Sequence, residues 1–176
     1  MIFFKKMLRI IHHLFNNNKY KMIELIDLSI DLEYGIGKIY YIFHKNFPDD
    51  SEFWLQISKE ENGHASILKN AKDLLFVDKF PIELILKSKK EIKNTLTEIK
   101  KIINYININN ITVEDAFNIA LKLEDSAAEK HYELFMNIAT DDKIKKLFQK
   151  LNDEDKNHYN RLLEYKKIKD LKNCEM

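Results

Sequence analysis

Residues 51–64 read Ser-Glu-Phe-Trp-Leu-Gln-Ile-Ser-Lys-Glu-Glu-Asn-Gly-His and close on Glu61-x-x-His64. Three residues along an α-helix is just under one turn, so both side chains leave the same face. A carboxylate and an imidazole side by side on a rigid helix can share one metal ion. Phe53, Trp54, Ile57, Glu61, His64 and Ile67 follow one another at helical spacing, which predicts a helix from about Ser51 to Val77. Upstream, Asn46-Phe-Pro-Asp-Asp50 is a break: Pro48 ends one helix, and Asp50 or Ser51 caps the next.

Before that break, Ile23, Ile26, Ile30, Ile36, Ile39 and Phe43 form an apolar stripe over Tyr20 to Lys45, with Glu33 in its middle. Further downstream, Pro81 opens a third helix with a stripe of Ile85, Ile92, Leu96, Ile99, Ile103 and Ile106. Thr112, with Asp115 three residues on, caps a fourth helix running to about Ile138, with Glu124 in its middle. Thr140-Asp-Asp restarts the chain, and a fifth helix runs from about Asp142 to Leu171, carrying Asp155 three residues before His158. Residues 1–15 are a basic amphipathic segment that either docks on a neighbouring helix, the blander and preferred reading, or lies on an anionic membrane surface. Asn16, Asn17 and Asn18 are expected to break the chain after it. The division is then an N-terminal extension at 1–19, a helical bundle at 20–172 and a tail at 173–176.

Three glycines and two prolines in 176 residues leave long helices uninterrupted. A net charge of +1 gives no argument for nucleic acid as a partner. The single Cys174 excludes a disulfide framework or a four-cysteine metal site within these residues and fits a reducing, cytoplasmic compartment. No apolar run is long enough to span a bilayer.

The chain repeats itself. Leu32-Glu33 is followed by Tyr41, and Leu123-Glu124 by Tyr132, each eight residues after the acid. Each such helix is followed by a turn and a second helix bearing acid-x-x-His. Glu33 lies 15 residues before Pro48 and Glu61 lies 13 after it; Glu124 lies 16 before Thr140 and Asp155 lies 15 after. Each hairpin therefore brings its two acids to one height, about 20 Å from its turn. In an all-α four-helix bundle, with the third helix as crossover, Glu33, Glu61, His64, Glu124, Asp155 and His158 converge midway along the axis. Four carboxylates buried together repel and protonate, whereas two divalent cations neutralise them. Mixed carboxylate and imidazole ligands suit iron or manganese.

At this point the chain resembles the rubrerythrin-like branch of the ferritin-like di-iron carboxylate proteins. The residues carrying the resemblance are Phe53-Trp54 through Glu60-Glu61-Asn-Gly-His64-Ala65, Leu123-Glu124 through Glu129-Lys-His-Tyr132, and Asp153-Glu-Asp155-Lys-Asn-His158. The resemblance implies two iron ions, reaction with hydrogen peroxide or dioxygen, and Glu33, Glu61, His64, Glu124, Asp155 and His158 as ligands. This chain departs from the family pattern in three places. Asp155 stands where the pattern has Glu, with Glu154 as a substitute four before His158. Ala127 replaces an extra carboxylate. The rubredoxin-like four-cysteine module is absent, which implies either electrons from a separate donor such as a rubredoxin or slow turnover.

Blander readings stand beside these. The six ligands are otherwise exposed salt-bridge residues. Tyr40, Tyr41, His131 and Tyr132 are packing residues in preference to donors to the site. Trp54 is core, and His12, His13 and His44 are solvated. Gly35 and Gly37 either admit a neighbouring helix or merely loosen their own. The same fold also serves an iron-handling or sensing protein, or a metal-free interaction module, and a two-hairpin bundle readily forms a homodimer.

Overall fold

The computed structural model describes residues 2–71, 82–126 and 142–174, with side chains from 20–21, 23–70, 89–126, 149–154 and 156–169. Among the described residues every regular element is helical: α1 (Ile2–Asn46), α2 (Ser51–Ala71), α3 (Ile82–Ile108), α4 (Val113–Glu124) and α5 (Asp142–Cys174), with a 3-10 turn at Pro48–Asp50 between α1 and α2. The fold is the all-α ferritin-like bundle that the apolar periodicity predicts.

Pro48 ends α1 because it forces Phe47 out of the helical region, to φ −121° and ψ 83°. Phe47 N–H still donates to the carbonyl of Phe43 at 2.9 Å, so the last turn closes before the chain reverses. The reversal lays α2 antiparallel on α1. Ser58 Oγ donates to the carbonyl of Gly37 at 2.8 Å, and near the turn the Ser51 hydroxyl lies 2.7 Å from His44 Nδ1. His44, expected in solvent, is thus held by the start of α2. The Asp50 side chain is likewise engaged elsewhere in the fold. It is buried, accepts from Tyr165 Oη at 2.9 Å and pairs with Lys169, which ties the end of α5 to the first turn. Burial and this contact with Asp50 push the Tyr165 phenol up to about 12.

α3 runs parallel to α1, as a crossover must. Glu24 on α1 pairs with Lys89 and Lys93 early in α3, and eleven residues later Gly35 faces Ile99. Its 27 residues span about 40 Å, enough to carry the chain back along the bundle. α4 then begins at a capping box: the Thr112 hydroxyl accepts from Asp115 N–H, and the Asp115 carboxylate accepts from Thr112 N–H. The core is built from Leu25, Leu32, Ile36, Ile39, Tyr40 and Phe43 of α1, Trp54 and Ile57 of α2, Ile92 and Ile99 of α3, Phe117 and Ala120 of α4, and Leu151 and Leu162 of α5. Burying each large apolar side chain contributes roughly 1.5–3 kcal/mol, which overrides weak local preferences.

Two boundary expectations are corrected. The backbone is helical through Asn16–Asn18, so no break separates residues 2–19 from the helix bearing Glu33. Asparagine loses only some tenths of a kcal/mol in a helix, and with neither proline nor glycine nearby the run cannot stop one. α4 ends at Glu124 instead of continuing. Asp125 takes φ −84° and ψ 4°, and Ser126 N–H turns to the carbonyl of Leu123 at 2.9 Å. These are backbone-to-backbone bonds, and Asp and Ser are weak helix formers at the position where they turn. Glu124 therefore sits in the final turn of its helix, and the expected continuation to Ile138, with His131 and Tyr132, lies outside the described residues. No described helix is long and apolar enough to cross a membrane.

Candidate metal centre

Each ligand candidate owes its place to helix periodicity. Glu33 lies on the α1 stripe between the core residues Leu32 and Ile36. Glu61 and His64 share one face of α2, Glu124 follows Leu123 at the end of α4, and His158 follows Leu151 by two turns on α5. All five are buried, with relative exposures from 0% for Glu33 to 7% for Glu124. Gly37 permits this depth, because α2 approaches α1 so closely there that a Cβ would meet Glu61 Cβ at 3.2 Å.

Glu61 stands at the centre. Its Oε1 lies 2.9 Å from His158 Nδ1, and its Oε2 lies 3.3 Å from His64 Nδ1. One carboxylate thus presents one oxygen to each imidazole. Glu33 Oε2 lies 3.5 Å from the same His64 Nδ1. On the other side, Glu124 is held by Tyr40, whose phenol donates to Oε1 at 2.6 Å. The imidazole planes are stacked, 5.2 Å apart and 18° from parallel. Glu61, His64 and His158 offer ligand atoms within 4.8 Å of one another.

The outward nitrogens are held as well. His64 Nε2 lies 3.1 Å from Glu154 Oε2, and His158 Nε2 lies 2.9 Å from Glu60 Oε2, which Arg161 Nη1 also reaches at 2.6 Å. The arrangement is reciprocal. Each helix carries a glutamate four residues before its own histidine, and that glutamate holds the histidine of the other helix. A histidine that binds metal through one nitrogen commonly gives its other N–H to a carboxylate in this manner. Glu154, expected as a substitute ligand for Asp155, meets the Nε2 of His64, while Nδ1 is the nitrogen beside Glu61. The Asp155 side chain lies outside the described residues.

Electrostatics follow from this geometry. Burial pushes Glu33 up to about 7, against the opposing hydrogen bond from His64, and the charge of Glu61 adds to the rise. Burial also drives Glu124 up to about 8, aided by the charge of Glu61 and resisted by His158 and the Tyr40 hydrogen bond. For Glu61 burial again pushes upward, but His158 and His64 outweigh it and hold the carboxyl far below its usual range. Burial opposes the charged form of both histidines, yet Glu33 and Glu61 raise His64 to about 11, and Glu60 and Glu61 raise His158 to about 10. Beside His158 and Arg161, Glu60 falls to about 2 despite partial burial.

Metal fits these residues on the evidence of His158. Its Nδ1 is buried and 2.9 Å from Glu61 Oε1, yet it makes no directed hydrogen bond among the described residues. Two ligand atoms each about 2.1 Å from one ion, at a right angle, sit about 3 Å apart without pointing at each other. The separations of 2.9 and 3.3 Å around Glu61 have that character.

Sequence reasoning missed two things. The outer glutamates were visible as the shared spacing of Glu60 to His64 and Glu154 to His158. Tyr40 was assigned to packing; it packs on Trp54 and also serves Glu124. Tyr41 is exposed and stands over Lys45 and His44, outside the site.

Comparison with curated proteins and with solved structures returns no match. The rubrerythrin family model matches residues 24–166, a span that holds every candidate ligand and runs from α1 to the last turns of α5. The chain belongs to the rubrerythrin family.

Proposed function

We propose that the chain is an oxidoreductase that holds two iron ions, or manganese in their place, and reduces hydrogen peroxide or dioxygen with electrons from a separate donor protein. The observation that carries this reading is the central carboxylate, with one Glu61 oxygen facing each histidine. On that geometry Glu33, Glu61, His64, Glu124 and His158 would hold the two ions, with Glu61 at the centre of the set. Asp155 would supply the fourth carboxylate. Bound iron supplies electrons and Lewis acidity to a small oxidant.

The chain's own residues do the remaining work. Glu60 and Glu154 fix both imidazole planes, so the Nδ1 lone pairs stay aimed inward. Burial keeps bulk water from the carboxylates and strengthens their hold on positive charge. The Tyr40 phenol donates to Glu124 Oε1 and favours the ionised carboxylate that a cation needs. These residues contain one cysteine and no four-cysteine electron carrier, so on this reading the electrons enter from outside them.

The test is metal content per chain after anaerobic purification, followed by stopped-flow mixing with peroxide, with and without a reduced rubredoxin. Two ions per chain, oxidised by peroxide and reset by the donor, support the proposal. A chain that binds no transition metal sinks it. Metal that oxidises once and is never reset would make the chain an iron-handling protein instead.

A further inference from the structure

The three glycines divide two against one. A Cβ on Gly35 would meet Ile99 Cγ2 at 3.1 Å, and one on Gly37 would meet Glu61 Cβ at 3.2 Å and the Ser58 carbonyl at 3.3 Å, so both let helices approach. A Cβ on Gly63 would meet nothing within 4 Å among the described residues. The Gly63 backbone has no positive φ. Among the described residues neither packing nor backbone calls for glycine there, and a mid-helix glycine costs roughly 0.5–1 kcal/mol relative to alanine.

Gly63 does border a cavity of about 320 Å³ between α2 and α5, with His64 and His158 in its wall. Glu60 and Glu154 stand at its rim, their side chains 31% and 38% exposed, while those of the two histidines behind them are 3% and 4% exposed. Lys150, 3.6 Å from Glu154 Oε1, and Arg161 on Glu60 act as counter-ions there. Carboxylate oxygens therefore form a series from water inward, each step able to replace part of a cation's hydration shell before the next. We propose that this cavity is the port through which divalent cations load the site, that Glu60 and Glu154 are the first ligands a cation meets, and that Gly63 lacks a side chain to keep the port open. The inference rests on the metal-binding reading above.

The test follows Co²⁺ by its visible absorption, entering metal-free protein and leaving to a chelator, in Gly63→Ala, Gly63→Leu and Gly63→Trp. Loading and extraction are expected to slow together as the side chain grows, by at least about tenfold for tryptophan, with unchanged stoichiometry and affinity. Rates that do not vary across the series overturn the port, as does affinity that falls while the loading rate holds. The alanine variant, expected to be more stable than the parent, and the leucine variant keep the series informative if tryptophan prevents folding. Failure of the unaltered chain to bind Co²⁺ would instead remove the metal centre itself.

Discussion

Glu154 on α5 reaches across the bundle to His64 on α2, its Oε2 3.1 Å from the imidazole Nε2. Glu60 on α2 does the same for His158 on α5. Each hairpin thus orients the other's histidine, and the two acid-x-x-His helices form one unit. Glu154→Gln and Glu60→Gln are each expected to lower metal affinity about 10–100-fold while the bundle stays folded, as loss of such outer carboxylates does elsewhere. Co²⁺ competition with a chelator reads this directly, and affinity equal to the parent in both variants would mean that the straps do nothing.

Removal of a central ligand is expected to act more severely. Glu61→Ala takes away the carboxylate that faces both histidines, so both ions and all peroxide turnover should go. His64→Ala should leave at most one ion per chain. Elemental analysis checks both, and two ions retained by Glu61→Ala would contradict the assignment.

The metal-free chain should weaken as pH rises. Folding lifts His64 from 6.5 to about 11 and His158 from 6.5 to about 10, so their contribution is full below the unfolded value and lost as pH climbs through the folded ones. Glu33 and Glu124, lifted from 4.5 to about 7 and about 8, add to the loss between the unfolded and folded values. Glu61 works in the opposite sense: its contribution is present above 4.5 and disappears as pH falls well below that. Melting temperatures of metal-free protein should therefore decline from neutral to alkaline pH, while loaded protein, whose ligands must be deprotonated, declines less. Loading at neutral pH should release protons, visible with an indicator dye. Proton-neutral loading would show that the histidines are not charged in the metal-free state.

Opposite signs are expected for two glycine-to-alanine changes on facing helices. Gly63→Ala meets no neighbour among the described residues and should stabilise by roughly 0.5–1 kcal/mol. Gly37→Ala presses on a backbone carbonyl and on Glu61, and should destabilise by roughly 1–3 kcal/mol. Chemical denaturation distinguishes them, and equal effects would refute the account of close α1–α2 approach.

Tyr40→Phe removes the donor to Glu124 without changing ring packing. A loss of roughly 1–2 kcal/mol in stability is expected. In metal-free protein the proton on Glu124 should also be held more tightly, because the phenol favours the ionised form. Infrared carboxyl bands followed across pH would show it, and an unchanged titration would place Glu124 beyond the phenol's influence.

Much of this was legible in the sequence because helical periodicity converts spacing into position. Glu33 and Glu61 sit at matched distances from the turn between α1 and α2, and acids on otherwise apolar stripes mark a place where buried carboxylates need compensating charge. Across-bundle pairing was less legible. Spacing puts Glu154 one turn from His158, on its own helix, whereas its partner His64 belongs to another helix and is known only once the hairpins pack. The Asn16–Asn18 run misled because its turn preference is weak beside the continuity of a 45-residue helix. Asp125-Ser126 ended α4 early through a weak local helix preference that a long apolar stripe conceals.

Trp54 is the only indole in the chain. It is fully buried, 5.8 Å from the Tyr40 ring that touches Glu124, and in contact with Phe43, Phe53 and Phe117. Its emission therefore comes from a single known place beside the carboxylates. An arriving transition-metal ion would quench that light, so occupancy can be followed in real time by native fluorescence, with no label attached.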